Sequence, residues 1–292
     1  MGPSLRAVRI TLRQWGRRGA SLLLRRLPDR LGRSLLVASA LVGPFVFTMR
    51  GWLRLLALQK LGAHARRTGV VALGVREWDG RPLFVRPTGT DWETAHASLI
   101  GRYHRAPEEL TGVRTILDLG ANIGATVADL AAAHPGARVL GIEPDAANVA
   151  VARRNVQPWR DRASIVQGAV WTEDGEIAYG GDRGEWAYRV LPAMDERTDA
   201  AAIATVPAFS MTTLIDMLSP DDDVDYVKMD VEGAERFLLD GSADWAGRVR
   251  CLQVEVHAPW DVAACRRSLE RLGFDTTPDA GGVLSVTALR RG

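Results

Sequence analysis

Ile116-Leu117-Asp118-Leu119-Gly120-Ala121-Asn122-Ile123-Gly124 reads as an apolar strand that runs into a glycine turn and then a helix. A turn of this kind is suited to meeting a nucleoside cofactor. Gly120 is expected to let backbone approach the ligand with no Cβ in the way, and Gly124 to let the following helix pack close to the sheet. Asp118, near the strand's carboxyl end, is placed to accept hydrogen bonds from a cationic amino group. Ala121 and Asn122 fill out the turn.

A second apolar strand, Val139-Leu140-Gly141-Ile142-Glu143, also ends in an acid, 25 residues beyond Asp118, with Pro144 next. In a doubly wound sheet an acid there reaches the two ribose hydroxyls of a bound nucleoside. Nicotinamide dinucleotides and S-adenosylmethionine (SAM) both satisfy that geometry. The spacing favours SAM, because the glycines read G-x-x-x-G and the motif opens with an acid inside the strand. A carboxylate at 118 repels a pyrophosphate but not the ammonium and sulfonium of SAM. A nicotinamide-dependent Rossmann oxidoreductase stays as the enzymatic alternative, and a SAM-binding, membrane-associated scaffold without turnover as the other.

Around these two strands the pattern alternates strand and helix, which implies parallel strands with crossover helices. Thr115–Leu119, Arg138–Ile142, Ala163–Val170, Val224–Met229 and Val249–Val256 read as strands. Ala125–Ala133, Ala146–Val156, Ala234–Leu239 and Val262–Leu272 read as helices. Val283–Leu289 reads as a closing antiparallel strand. Asp174-Gly175 and Gly180-Gly181 mark residues 171–210 as a hairpin-rich, substrate-side insertion. Upstream, Val70–Val75 and Leu83–Val85 suggest a β-hairpin about the turn-like Asp79-Gly80-Arg81-Pro82, followed by a helix over Asp91–Arg105. The expected organisation is a basic helical extension over 1–67, a hairpin and helix over 68–112, and the cofactor-binding domain over 113–292.

Two further strand ends are rich in acids: Asp225-Tyr226-Val227-Lys228-Met229-Asp230-Val231-Glu232-Gly233-Ala234-Glu235 and Gln253-Val254-Glu255-Val256-His257. These strands are neighbours in the expected topology, so Asp230, Glu232, Glu255 and His257 should converge beside the methyl donor. Transfer of a methyl group to oxygen is an in-line displacement at carbon, and a neutral hydroxyl must lose its proton in or before the transition state. His257, with an ordinary pKa near 6.5, is the first candidate base. Asp230 and Glu255 are the other candidate catalytic groups, and Asp230 also borders the cofactor. Asp230, Glu232 and Glu255 are the candidate ligands if a divalent cation such as Mg²⁺ takes part. Glu232 and Glu235 also fit simple first-turn acids favoured by a helix dipole. The backbone of Ala169 should lie near adenine. Trp171, Trp186 and Trp260 are candidates either for ligand contact or for packing.

These segments resemble the FkbM family of SAM-dependent methyltransferases, over roughly Phe84 to His257. The resemblance rests on Asp118 to Gly124, Glu143-Pro144, Lys228 to Glu235 and Glu255-Val256-His257. It implies a class I (Rossmann-like) α/β fold, a mostly parallel seven-stranded sheet with helices on both faces, and O-methylation of a sugar or secondary metabolite. It carries cofactor roles onto Asp118, Gly120, Asn122, Gly124 and Glu143. Thr88-Gly89-Thr90-Asp91 and Tyr103 resemble the family segment that closes over the methionine end of SAM. Met229 stands where a family member often has Ile, a volume-conserving change.

Composition sets outer limits. The 292-residue chain is 47% hydrophobic and 25% charged, which excludes wholesale disorder. Its net charge of +2 hides an asymmetry: residues 1–70 hold 14 Lys/Arg and the single acid Asp29, net +13, leaving 23 basic and 34 acidic residues, net −11. Leu5, Val8, Leu12 and Trp15, beside Arg6, Arg9, Arg13 and Arg17, form a basic amphipathic helix that either docks on the acidic body or contacts a membrane surface. The acidic body argues against a nucleic-acid partner. The apolar run Leu35–Phe47 falls short of the roughly 20 residues of a spanning helix. Cys251 and Cys265 are too few for a disulfide framework, and a reducing, cytoplasmic setting is expected. Pocket shape in the insertion sets the acceptor, which the sequence does not identify.

Overall fold

The computed structural model describes residues 43–61, 69–87, 89–180, 189–191, 202–241, 243–278 and 284–291. The basic helix expected over Leu5–Arg17, Thr88 and Trp186 lie outside these residues. The chain divides into two compact units, Met1–Arg102 and Tyr103–Gly292. In the first, helix α1 (Met49–Leu61) packs on strand β1 (Val71–Gly74), which pairs antiparallel with β2 (Pro82–Val85). Helix α2 (Asp91–His96) follows, anchored by its buried Asp91, which accepts hydrogen bonds from the backbone and guanidinium of Arg86. The single helix read over Asp91–Arg105 does not form: α2 passes into a short π-helical segment, Ala97–Gly101, and ends at Arg102, whose φ is 55°.

The second unit contains β3 (Thr115–Leu119), α3 (Ala125–Ala133), β4 (Arg138–Glu143), α4 (Ala146–Val156), β5 (Ala163–Gln167), β6 (Ala169–Trp171), β7 (Gly175–Gly180), β8 (Arg189–Leu191) and β9 (Ala202–Ser210). It continues with α5 (Met211–Leu218), β10 (Val224–Met229), α6 (Glu235–Asp240), β11 (Val249–Glu255), α7 (Val262–Arg271), β12 (Phe274–Pro278) and β13 (Ser285–Arg290). Seven strands form one sheet in the order β12-β13-β11-β10-β3-β4-β5. The pairs β11/β10, β10/β3, β3/β4 and β4/β5 are parallel, and β13 runs antiparallel to both neighbours. This is the mostly parallel sheet of a class I methyltransferase.

Side-chain alternation explains its two covered faces. Leu117, Leu119, Leu140, Ile142, Val227, Met229, Leu252 and Val254 share a cluster with Leu214, Ile215, Leu238, Cys265 and Leu269 of α5, α6 and α7. On the other face, Gly141 lies against Val127 of α3. Strand Ala163–Val170, read as one element, breaks at Gly168, and β6 joins a second, four-stranded sheet ordered β6-β9-β7-β8. That sheet has its own small core of Ala169, Ile177, Tyr179, Val206 and Ala208. No described helix is long and apolar enough to cross a membrane.

Candidate functional site

The turn after β3 is held by its own backbone. The amides of Gly120 and Ala121 both donate to the Ile142 carbonyl (3.1 and 2.8 Å), and the amide of Gly124 donates to Ala121 (2.7 Å). Gly120 has φ 82°, and a Cβ on it would stand 1.8 Å from the Asp230 carbonyl oxygen. Its glycine is therefore required by the approach of β10's end. A Cβ at Gly124 (φ 72°) would contact Ala152 of α4 at 3.0 Å, so the close packing it permits is helix on helix, not helix on sheet. Asn122 takes the left-handed conformation (φ 47°) that asparagine tolerates better than most residues.

Glu143, at the end of β4, fastens this turn. Its buried carboxylate accepts from the amide of Asn122 (2.8 Å), the amide of Asp145 (3.0 Å) and the side chain of Asn148 (3.2 Å). Burial nevertheless outweighs these hydrogen bonds and raises its pKa to about 7. Pro144 follows, its carbonyl 3.5 Å from the Gln167 amide nitrogen. Ala169 is buried and pairs with Ala208.

Asp118 is fully buried. The Thr126 hydroxyl donates to one of its oxygens; the other has no hydrogen-bond donor among the described residues and lies 3.3 Å from the Lys228 ammonium. The sequence reading placed this carboxylate to accept hydrogen bonds from a cationic amino group; the cation beside it is the protein's own Lys228, its register partner on β10. Lys228 also donates to the Gly120 carbonyl (3.1 Å) and pairs with Asp230 (3.1 Å). Burial disfavours its charge, yet Asp118 and Asp230 hold its pKa well above the usual lysine value. Asp230 is in turn held low against burial by Lys228 and His257, and the Tyr103 hydroxyl donates to it at 3.2 Å. Sequence reasoning gave Lys228 no role; the alternation that turns it away from the apolar face of β10 was the available signal.

Beside this row, β10 and β11 bring together the four residues expected to meet. His257 Nε2 lies 3.7 Å from Asp230, 3.6 Å from Glu232 and 3.9 Å from Glu255, while its Nδ1 lies 2.9 Å from Glu235. Glu235 is buried and also accepts from the amides of Val231 (2.9 Å) and Gly233 (2.8 Å). It ties down the 231–233 loop and orients the imidazole, a function that a dipole reading of first-turn acids does not reveal. Glu232 has φ 53°, an uncommon conformation for glutamate of the sort that clusters at functional sites.

The ordinary histidine pKa assumed from sequence is overturned. Burial alone would lower it, but the hydrogen bond and charge of Glu235, with the charges of Asp230 and Glu232, raise it to about 9. Glu255 is pushed up to about 7, first by burial and then by Asp230. Asp230, Glu255 and His257 each offer one ligand atom, all within 4.8 Å of one another, so the trio that best fits a cation includes the imidazole in place of Glu232. Trp171 packs on Phe237 (centroids 5.1 Å apart), and Trp260 lies against the main core. Both cysteines are free and buried.

Among solved structures, the chain is similar to precorrin-6y C5,15-methyltransferase from Geobacter metallireducens (12% identity, TM-score 0.38, covering 69% of this chain and 90% of that one). It is also similar to the N-terminal domain of human METTL16 (15%, 0.37, 68% and 68%) and to the Methanococcus jannaschii fibrillarin pre-rRNA processing protein (12%, 0.39, 64% and 70%). No curated protein matches the chain. The family model described as Methyltransferase FkbM domain matches residues 118–276, starting later and ending later than the resemblance read from sequence. That span is just over half of the chain and takes in the turn, Glu143 and the whole acid and imidazole cluster, so the chain belongs to the FkbM methyltransferase family.

Proposed function

We propose that the protein moves a methyl group from SAM to a hydroxyl oxygen of a small molecule, a sugar or secondary metabolite. Family membership supports SAM as the donor, and SAM supplies an electrophilic methyl group on a sulfonium. In this reading the backbone of Gly120, Ala121, Asn122 and Gly124 and the carboxylate of Glu143 with Pro144 hold the cofactor, and Ala169 borders its base. Asp118 acts one step back, by neutralising Lys228, which fixes the Gly120 carbonyl and Asp230.

The observation that carries oxygen as the acceptor is the His257–Glu235 pair at the end of β11. Glu235 holds the Nδ1 proton, leaving Nε2, when unprotonated, to accept the hydroxyl proton. Asp230 and Glu255 flank that nitrogen and orient the hydroxyl. The same carboxylates that stabilise an imidazolium after proton transfer also keep the free imidazole scarce at neutral pH. A second reading, favoured by the spacing of Asp230, Glu255 and His257, puts a divalent cation there in place of the proton.

The test is purified protein with methyl-labelled SAM and panels of glycan and polyketide hydroxyl acceptors, with Mg²⁺ or with chelator. The proposal expects a methyl ether as product. His257→Ala should lower turnover by about a hundredfold or more with SAM affinity retained. Methyl groups found on nitrogen or carbon, or full turnover in His257→Ala, contradict it; turnover that disappears only with chelator selects the cation.

A further inference from the structure

Helix α1 carries apolar side chains on two opposite faces. One, with Gly51 and Leu55, is buried, and Gly51 lies against the backbone of Gly74 in β1. At 100° per residue, Met49 and Leu53 fall on the opposite side, where they are 55% and 54% exposed. Phe45, one turn earlier in the chain, is 36% exposed, and Ala57 extends the stripe. A surface helix of a globular protein ordinarily has a single apolar stripe, turned toward the core. Here, among the described residues, a second apolar face is open, and the exposed Arg50 and Arg54 stand beside it, Arg54 also donating to the Ala72 carbonyl (2.8 Å).

Charge decides what fits that face. Residues 43–61 carry Arg50, Arg54 and Lys60 and no acid, a net charge of +3. A second copy would bring the same charge against it, whereas an anionic bilayer supplies both an apolar layer for Met49 and Leu53 and counter-charge for the arginines. Stable peripheral binding generally needs two such signals together, apolar insertion and a basic patch. Helix α1, at 13 residues, is too short to span, so the contact is one that lies along the interface. From this geometry we infer that the Met49–Leu53 face of α1 seats the protein on anionic phospholipid, independently of the reaction assigned to the second unit.

The experiment is co-sedimentation of the full chain with vesicles of zwitterionic lipid alone or with about 30% anionic phospholipid. The wild type should pellet with the anionic vesicles and stay in solution with the zwitterionic ones. Met49→Glu/Leu53→Glu should lower the anionic partition coefficient at least about tenfold. Met49→Ser/Leu53→Ser should lower it less, and serves if the glutamate variant melts abnormally by circular dichroism. A wild type that stays in solution, serine and glutamate variants that pellet like it, or a dimer in sedimentation velocity that these substitutions dissolve would overturn the inference, the last in favour of a second copy.

Discussion

His257 faces four carboxylates with one imidazole, and its proton is the most consequential one in the site. With a pKa of about 9, the free base grows in population as pH rises through that value. In the proposed mechanism kcat/KM should therefore climb with pH and level off above about 9, which a pH–rate profile of the wild type checks. Glu235→Gln removes the largest favourable influence on the imidazolium. It should move that limb downward while SAM affinity stays unchanged; a limb that does not move would show that Glu235 positions only the loop. The identity of His257 was legible because a histidine two residues past an acid ends a strand. Its pKa was not, since it arises from residues 22 to 27 positions away that meet only after the strands pair. Glu235 was legible as an acid in a first helical turn, yet its partners, His257 and two loop amides, were not.

Among the elements, the turn between β3 and α3 was the part most readable from sequence: β3, α3 and α4 form over the residues their periodicity marked. The reason for Gly120 was not readable, because its neighbour, the Asp230 carbonyl, lies 110 residues away. Gly120→Ala should cost about 3 kcal/mol in denaturant unfolding and weaken SAM binding with it. Stability within about 0.5 kcal/mol of wild type would mean that the end of β10 yields. Helix α5 went unread although Met211, Leu214, Ile215 and Leu218 recur at helical spacing behind the N-cap Ser210, whose hydroxyl accepts from Thr213. Strand β12 is short and mostly exposed, so Phe274 alone carried an apolar signal. Gly168, between Gln167 and Ala169, hid a change of sheet inside what reads as one strand.

For the molecule as a whole, alternation of strand and helix was enough to specify a parallel sheet, and the position of β13 between β11 and β12 completes its order. Global stability should carry the mark of the site's charge. The folded state raises the His257 pKa from 6.5 to about 9, so its contribution is fully present below about 6.5 and is lost as pH rises toward 9. Chemical unfolding at a series of pH values should show that decline, and His257→Gln should flatten it. The reading of the turn as a cofactor site is tested most directly by calorimetric titration of wild type and Glu143→Ala with SAM, S-adenosylhomocysteine and NAD. The account predicts that both adenosyl compounds bind the wild type, that Glu143→Ala weakens them by about tenfold or more, and that NAD gives no heat. Tight NAD binding, or SAM binding indifferent to Glu143, would contradict it.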